Sequence, residues 1–305
     1  MKNSNPLVYN RREILKSAMA GAVSLCVAPR LLIAQQRPLS AGLTVLDGGG
    51  ANILALTTAE GMVLVDSGAP KSGDQVATAL KGAKVQTLFN THYHLDQTAN
   101  NEAFAAQGAR IIAHERTRQW MSTDYWVAAE ARYEKARPKA ARPTEVFLTT
   151  GSLKAGAERI DYGYLILAHT SGDIYVYFRN ANAIAVGDVA SPLRDPALDY
   201  YTGAWIGGRV DAMDTLLKLG NDQTRFVPAY GPVMTRAEFK AERDLMEEVR
   251  ARLFKQIREG DSPEDMLQEG VLNNLPRTWK NPDRFLYDAA KGLWAHHDKL
   301  DPNVV

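Results

Sequence analysis

The chain has 305 residues, 45% hydrophobic and 23% charged, a globular composition able to bury one large core or two smaller ones. Formal net charge is +1, but residues 1–34 hold Lys2, Arg11, Arg12, Lys16 and Arg30 against Glu13, leaving 31 basic and 34 acidic residues for the rest. A near-neutral, slightly acidic body is poorly suited to gripping a phosphate backbone, which argues against a nuclease and against nucleic-acid partners.

Residues 1–34 read as a targeting segment. Arg11 and Arg12 precede Ile14, Leu15, Lys16 and the short apolar run SAMAGAVSLCVAP, too short to span a bilayer. The order is similar to that of a twin-arginine export signal, with cleavage near Ala34. Export to the periplasm or beyond, with no stable membrane insertion afterwards, is the expectation. Cys26 is the only cysteine, so a chain cleaved after it has no disulfide, thiolate ligand or thiol nucleophile.

From about residue 40 short strand and helix patterns alternate. NILALTT and GMVLVDS, separated by a turn, read as a hairpin, and SGDQVATALKG as a helix stopped by Gly82. KVQTLFN is a buried strand, NEAFAAQGA a short helix and RIIAHE another strand. Residues 116–142 have a helical pattern rich in aromatics, with Trp120, Tyr125, Trp126 and Tyr133 placed either to line a pocket or to pack. A second strand series follows: EVFLTT, ERIDYG, YLILAH, IYVYFR and NAIAVGD. The loop SPLRDPALDYYTGAWIGG leads into the helix RVDAMDTLLKLG and the strand TRFVPAYGP. The glycines of GAWIGG suit either an active-site loop or a tight turn before the helix. Two strand series closed by helices imply two sheets face to face with helices outside.

The tail is helical. Thr235 and Glu238 form a capping box, and Phe239, Met246, Val249, Leu253 and Ile257 make an apolar stripe ended by Gly260. Ser262-Pro263 and Asn281-Pro282 open two more helices.

Chemistry is concentrated in NTHYHLDQTANN, residues 90–101, which puts His92, His94 and Asp96 on alternate positions directly after a buried strand. A third imidazole, His169, stands in LAHTSGD after YLIL, and a carboxylate, Asp188, ends NAIAVGD. Three strand ends thus carry metal-capable side chains, and neutral imidazoles with one open position suit catalytic zinc. His114 reads as structural, and His296 and His297 as helix-end residues.

The ordered set NTHYHLDQT, AHTSGDIYVYF, AIAVGDV, DYYTGAWIGG and FVPAYGPV resembles the metallo-β-lactamase fold superfamily over about residues 40–300. The resemblance implies an α/β fold, a four-layer αββα sandwich over residues 38–235, with a C-terminal helical extension over 236–305. It implies that His92, His94 and His169 hold a first metal, that Asp188 bridges to a second, that Asp96 ligates the second and that Asp66 supports the site from behind. Two positions depart from the pattern, both at the second metal: Gln97 and Tyr230 stand where the family has histidine. Neither neutral amide nor phenol is a strong ligand, so one metal is expected to bind well and a second poorly or not at all.

The function implied is a zinc-dependent hydrolase using a metal-bound hydroxide on a small acyl substrate (ester, lactone, lactam or thioester), with Asp96 and Tyr230 as catalytic residues. Phosphodiesters fit less well, because in-line displacement gains most from two metals. Two alternatives stand beside it: a scaffold that has lost catalysis and only binds a ligand, and an oxidoreductase built on a single iron.

Overall fold

The computed structural model describes residues 37–127 and 132–296. The expected targeting segment, Cys26 and His297 lie outside the described residues.

Strands β1 (Arg37–Ser40), β2 (Leu43–Asp47), β3 (Asn52–Thr58) and β4 (Gly61–Val65) run antiparallel. After α1 (Gly73–Leu80), β5 (Val85–Phe89) adds parallel to β4. Short helices α2 (Leu95–Thr98) and α3 (Asn101–Ala106) lead to β6 (Arg110–His114), again parallel. Helix α4 (Glu115–Met121) and a two-stranded ribbon, β7 (Tyr125–Val127) with β8 (Arg132–Glu134), precede β9 (Glu145–Phe147), which closes the first, seven-stranded sheet. The second sheet holds β10 (Thr150–Ala155), β11 (Glu158–Tyr164), β12 (Ile174–Phe178) and β13 (Ala183–Gly187), all antiparallel. Helix α5 (Ile206–Leu219) crosses over to β14 (Arg225–Pro228), parallel to β13. Helices α6 (Arg236–Glu259), α7 (Pro263–Gln268) and α8 (Pro282–Ala295) complete the chain.

Strand alternation sorts the side chains into layers. Leu54 and Leu56 of β3 meet Ile174, Val176 and Phe178 of β12 in one cluster between the sheets. The opposite face of β3, with Ile53 and Ala55, packs on Val76 and Leu80 of α1 and on Phe104 of α3. The opposite faces of β12 and β13, with Tyr175, Tyr177, Ile184 and Val186, are covered by Met213 of α5, Phe239 and Met246 of α6, and Phe285 and Leu293 of α8. The result is the expected αββα sandwich. The tail shares the apolar cluster of the second sheet's outer face; the expected Thr235–Glu238 box forms, and Ser262 makes a second one with Asp265.

Three segments differ from the sequence reading. EVFLTT, read as one strand of the second series, divides: Glu145–Phe147 is the edge of the first sheet, and Thr150 opens β10 of the second. Among the described residues, the helical pattern of 116–142 survives as α4 and a 3-10 turn at Lys139–Ala141; Tyr125–Val127 and Arg132–Glu134 pair as strands instead, since Tyr, Trp and Val favour a pleated surface and Trp126 contacts Tyr133 across the ribbon. The run YLILAH is not a strand beyond Tyr164. Leu165 N–H donates to Asp173 O, Leu167 takes φ 51°, and the chain turns back toward β12.

Candidate metal centre

The carboxyl ends of the parallel strands β4, β5, β13 and β14 lie along one edge of the sandwich, the end of an open sheet where ligands bind in α/β folds. Each contributes: Asp66 follows β4, His92 and His94 follow β5, Asp188 follows β13 and Tyr230 follows β14. His169 arrives from the turn between β11 and β12.

Three imidazoles converge. His92, His94 and His169 each offer a ring nitrogen, all within 4.8 Å of one another. In each ring the other nitrogen is engaged from outside. Thr91 Oγ1 donates to Asp66 Oδ2 at 2.8 Å, so at 3.0 Å it can only accept from His92 Nδ1. His169 Nδ1 donates to the Ala197 carbonyl at 2.9 Å, and His94 Nε2 lies 3.2 Å from Asp199 Oδ2. These partners fix the tautomers, leaving His92 Nε2, His94 Nδ1 and His169 Nε2 to face the centre. His92 Nε2 is buried without a hydrogen-bond partner among the described residues. Burial pushes His92 and His169 well below the usual histidine range, which keeps them in the neutral, ligating form. His94 is the exception: burial, the largest influence, pulls it down, but its bond to Asp199 together with the charges of Asp199, Asp96 and Asp188 raises it overall. An orphaned, buried nitrogen beside two oriented imidazoles fits a metal ion of the zinc type.

Backbone bonds hold the rings in place. Asp66, itself at φ 65°, accepts the Thr91 N–H at 2.8 Å, which is the expected support from behind. Asn90 and Asn101 exchange side-chain hydrogen bonds under the His92 segment. The His169 turn is tied by Asp173, whose Oδ2 accepts from His169 N at 2.6 Å and Thr170 N at 2.7 Å. Gly208 of α5 lies so close to this turn that an added Cβ would stand 2.3 Å from Leu167 O. Gly203, at φ 99°, makes the tight turn before α5, whereas Gly208 lies inside the helix and is explained by close packing behind the His169 turn, which neither reading of GAWIGG gave.

Asp188 borders the imidazoles, its Oδ2 3.7 Å from His92 Nε2 and 3.8 Å from His169 Nε2. Burial, reinforced by Asp96, raises its carboxyl to about 6. Asp96 and Tyr230 meet each other: the Tyr230 hydroxyl donates to Asp96 Oδ2 at 2.5 Å. Burial and then Asp96 raise Tyr230, keeping it a phenol. Gln97 is buried, and neither its amide nitrogen nor its amide oxygen has a hydrogen-bond partner among the described residues. His114 belongs elsewhere, stacked on Tyr164 at 3.9 Å. His296 caps α8 and stacks on Trp205 at 4.7 Å, a packing role.

Several participants carry no motif of their own. Asp199 accepts both His94 Nε2 and the Tyr93 hydroxyl, although it opens the quoted stretch DYYTGAWIGG. Arg209 is fully buried behind the edge and donates to Ala197 O and Ser191 Oγ, bracing the loop that orients His169. Arg194 approaches Asp96 from the same loop.

Beside the imidazoles opens a cavity of about 640 Å³, lined by His94, Asp96, His169 and Asp199 on one side and by Tyr93, Trp120, Tyr125 and Trp126 on the other. Tyr93 stacks on Trp120 at 5.6 Å, Tyr125 meets Trp120 edge-on at 5.3 Å, and Trp120 Nε1 is pinned to Ser171 Oγ at 2.9 Å. Of the aromatics in this insert, Tyr133 does not line the cavity and is exposed.

Comparison with known proteins agrees with this architecture. A curated relative, the 2,4-dinitroanisole O-demethylase subunit alpha of Nocardioides sp. (strain JS1661), is 25% identical over 230 residues, which is 73% of this chain and 65% of that protein's length. Among solved structures, a metallo-beta-lactamase from Pontibacter korlensis aligns with TM-score 0.58 at 20% identity, over 70% of this chain and 98% of its own. The inverting sec-alkylsulfatase Pisa1 from Pseudomonas sp. aligns with TM-score 0.61 at 13% identity, over 87% of this chain and 50% of its own. At those identities the structural likenesses carry the fold alone. The model of the metallo-beta-lactamase superfamily matches residues 46–231, and the chain belongs to that superfamily.

Proposed function

We propose that the protein is a hydrolase dependent on one zinc ion, held by His92, His94 and His169, that cleaves an acyl bond (ester, lactone, lactam or thioester) in a small molecule bearing an apolar or aromatic group. The observation that carries this reading is the set of three converging ring nitrogens, each oriented from outside, with His92 Nε2 buried and unpartnered. When bound, zinc supplies Lewis acidity and lowers the pKa of a water molecule to about 7.

The chain's own groups do the rest. Asp96 lines the cavity beside His94, where it orients a water or takes its proton. Tyr230, a phenol bonded to Asp96, is a proton donor within reach of the same edge, suited to the departing group. The aromatic wall binds the apolar part of the substrate and thins the water around the reacting bond. The relative from Nocardioides is named for an aryl methyl ether, which favours aromatic substrates and places aryl ethers in the screen.

Elemental analysis of the purified chain, followed by a screen of aryl esters, lactones, lactams, thioesters and aryl ethers, tests the proposal. About one zinc per chain and turnover lost in His94→Ala are expected. Turnover that survives His94→Ala, or no zinc even after reconstitution, overturns it; iron in place of zinc redirects the search to oxygen chemistry. We also infer export to the periplasm or beyond, from the Arg11-Arg12 pair and the short apolar run that follows. Cell fractionation of an Arg11→Lys/Arg12→Lys variant checks that inference.

A further inference from the structure

Arg194 stands at the carboxylate expected to bind a second metal. Its Nη1 lies 3.9 Å from Asp96 Oδ2, and its guanidinium carbon stands 3.0 Å from the centre of the Tyr230 ring. Tyr230 donates to the same Asp96 oxygen at 2.5 Å. A cation and a hydroxyl therefore converge on one carboxylate, the cation seated on the ring that carries the hydroxyl, and Asp96 and Tyr230 occupy two of the positions that a second metal would draw on. Arg194 belongs to the loop that begins at Asp188, so one short segment supplies both a carboxylate beside the imidazoles and the cation facing Asp96.

We propose that the Arg194 guanidinium is the built-in counter-cation of Asp96 and keeps a second metal out, so that the centre is mononuclear by self-occupation. This rests on the reading of the imidazole cluster as a zinc site. A guanidinium stays charged throughout the working pH range and sits well on an aromatic face, as it does here on Tyr230. A dication approaching Asp96 meets that positive charge and finds Oδ2 already accepting the Tyr230 hydroxyl. It also finds few replacements for lost ligands, since the buried Gln97 amide is a weak neutral donor. Tyr230 thus stands beside a cation, and Asp96 is paired by the chain itself.

The test is zinc titration of the full chain by calorimetry and chelator competition, in four forms: wild type, Arg194→Lys, Tyr230→His, and Tyr230→His with Arg194→Ala. Tyr230→His restores an imidazole at the second site, so the last two forms isolate the effect of the guanidinium. Wild type and Arg194→Lys are expected to take up one zinc. Second-zinc affinity is expected to rise at least tenfold in the double variant over Tyr230→His alone. Equal second-zinc affinity in those two forms, or two tightly bound zinc ions in the wild type, overturns the role of Arg194 while the first site stands. Tight uptake of the first zinc in every form reports that the fold is intact. Failure of every form to bind any zinc overturns the metal-centre reading, and this proposal with it.

Discussion

Asp199 Oδ2 lies 3.2 Å from His94 Nε2 and accepts the Tyr93 hydroxyl as well, although 105 residues separate Asp199 from His94. This contact decides which nitrogen of His94 faces the centre, because a proton held on Nε2 leaves Nδ1 as the ligand atom. Outer partners of metal-bound histidines typically contribute 10–100-fold in metal affinity. Asp199→Ala is therefore expected to weaken zinc binding by about that factor. Asp199→Asn, whose amide oxygen still accepts from Nε2–H, is expected to lose less. Chelator competition gives both numbers, and unchanged affinity in Asp199→Ala would show that His94 is oriented by other means.

The glycine at 208 places α5 against the turn that carries His169. A Cβ there would stand 2.3 Å from Leu167 O and 2.9 Å from Trp205 Nε1. The first of these is backbone and cannot rotate away, so either the helix or the turn must shift. Gly208→Ala is expected to cost about 1–3 kcal/mol in urea unfolding and to weaken zinc binding through His169. A loss of stability with unchanged zinc affinity would mean that the helix gives way and the turn does not.

Much of this edge was legible in the sequence because its metal-capable side chains lie at strand ends within short motifs. His92 and His94 follow one buried strand, Asp188 follows another, and both fall where the apolar runs predict strand termini. The layers were legible too, since NILALTT and IYVYFR are nearly continuous apolar runs, buried on one face by the other sheet and on the other by helices. What stayed hidden depends on long-range contact. Arg194 and Asp199 act on residues far away in the chain, Arg209 braces a loop 12 to 18 residues before it, and no spacing rule links an arginine in a loop to a carboxylate on a distant short helix. The ribbon of Tyr125–Val127 and Arg132–Glu134 was misread because an aromatic-rich stretch fits helix or strand, and cross-strand pairing decides between them. At Leu167 a left-handed residue interrupts an apolar run that otherwise reads as strand.

The ribbon's outer tryptophan offers a direct test of the cavity. Trp126 lines it and is 47% exposed, so it can be truncated with little damage to the core. An aromatic partner contributes about 0.5–1.5 kcal/mol beyond burial of area. Trp126→Ala is expected to raise KM for an aryl ester about three- to tenfold while kcat stays within twofold. KM for a methyl ester of similar reactivity should hardly change. Equal effects on both substrates would place the ring outside the substrate's path.

His114 predicts a pH dependence of stability away from the centre. Its Nε2 bonds the Leu148 carbonyl at 3.1 Å, its Nδ1 accepts the Arg116 N–H at 3.3 Å to cap α4, and the ring stacks on Tyr164. This pattern requires the neutral ring, since a proton on Nδ1 would break the cap. Burial lowers the His114 pKa, with Arg116 pushing the same way and Glu115 and the Leu148 bond opposing. The unfolded chain therefore takes up this proton first as pH falls. The stabilising contribution is whole above about pH 6.5 and is lost as pH falls from there through the folded value, at up to about 1.4 kcal/mol per pH unit. His114→Asn keeps a good cap residue without a titrating ring. Urea unfolding at pH 7, 6 and 5 should show the wild type's advantage over His114→Asn shrinking at each step down. An advantage that holds constant across that range would mean that His114 carries the same charge folded and unfolded.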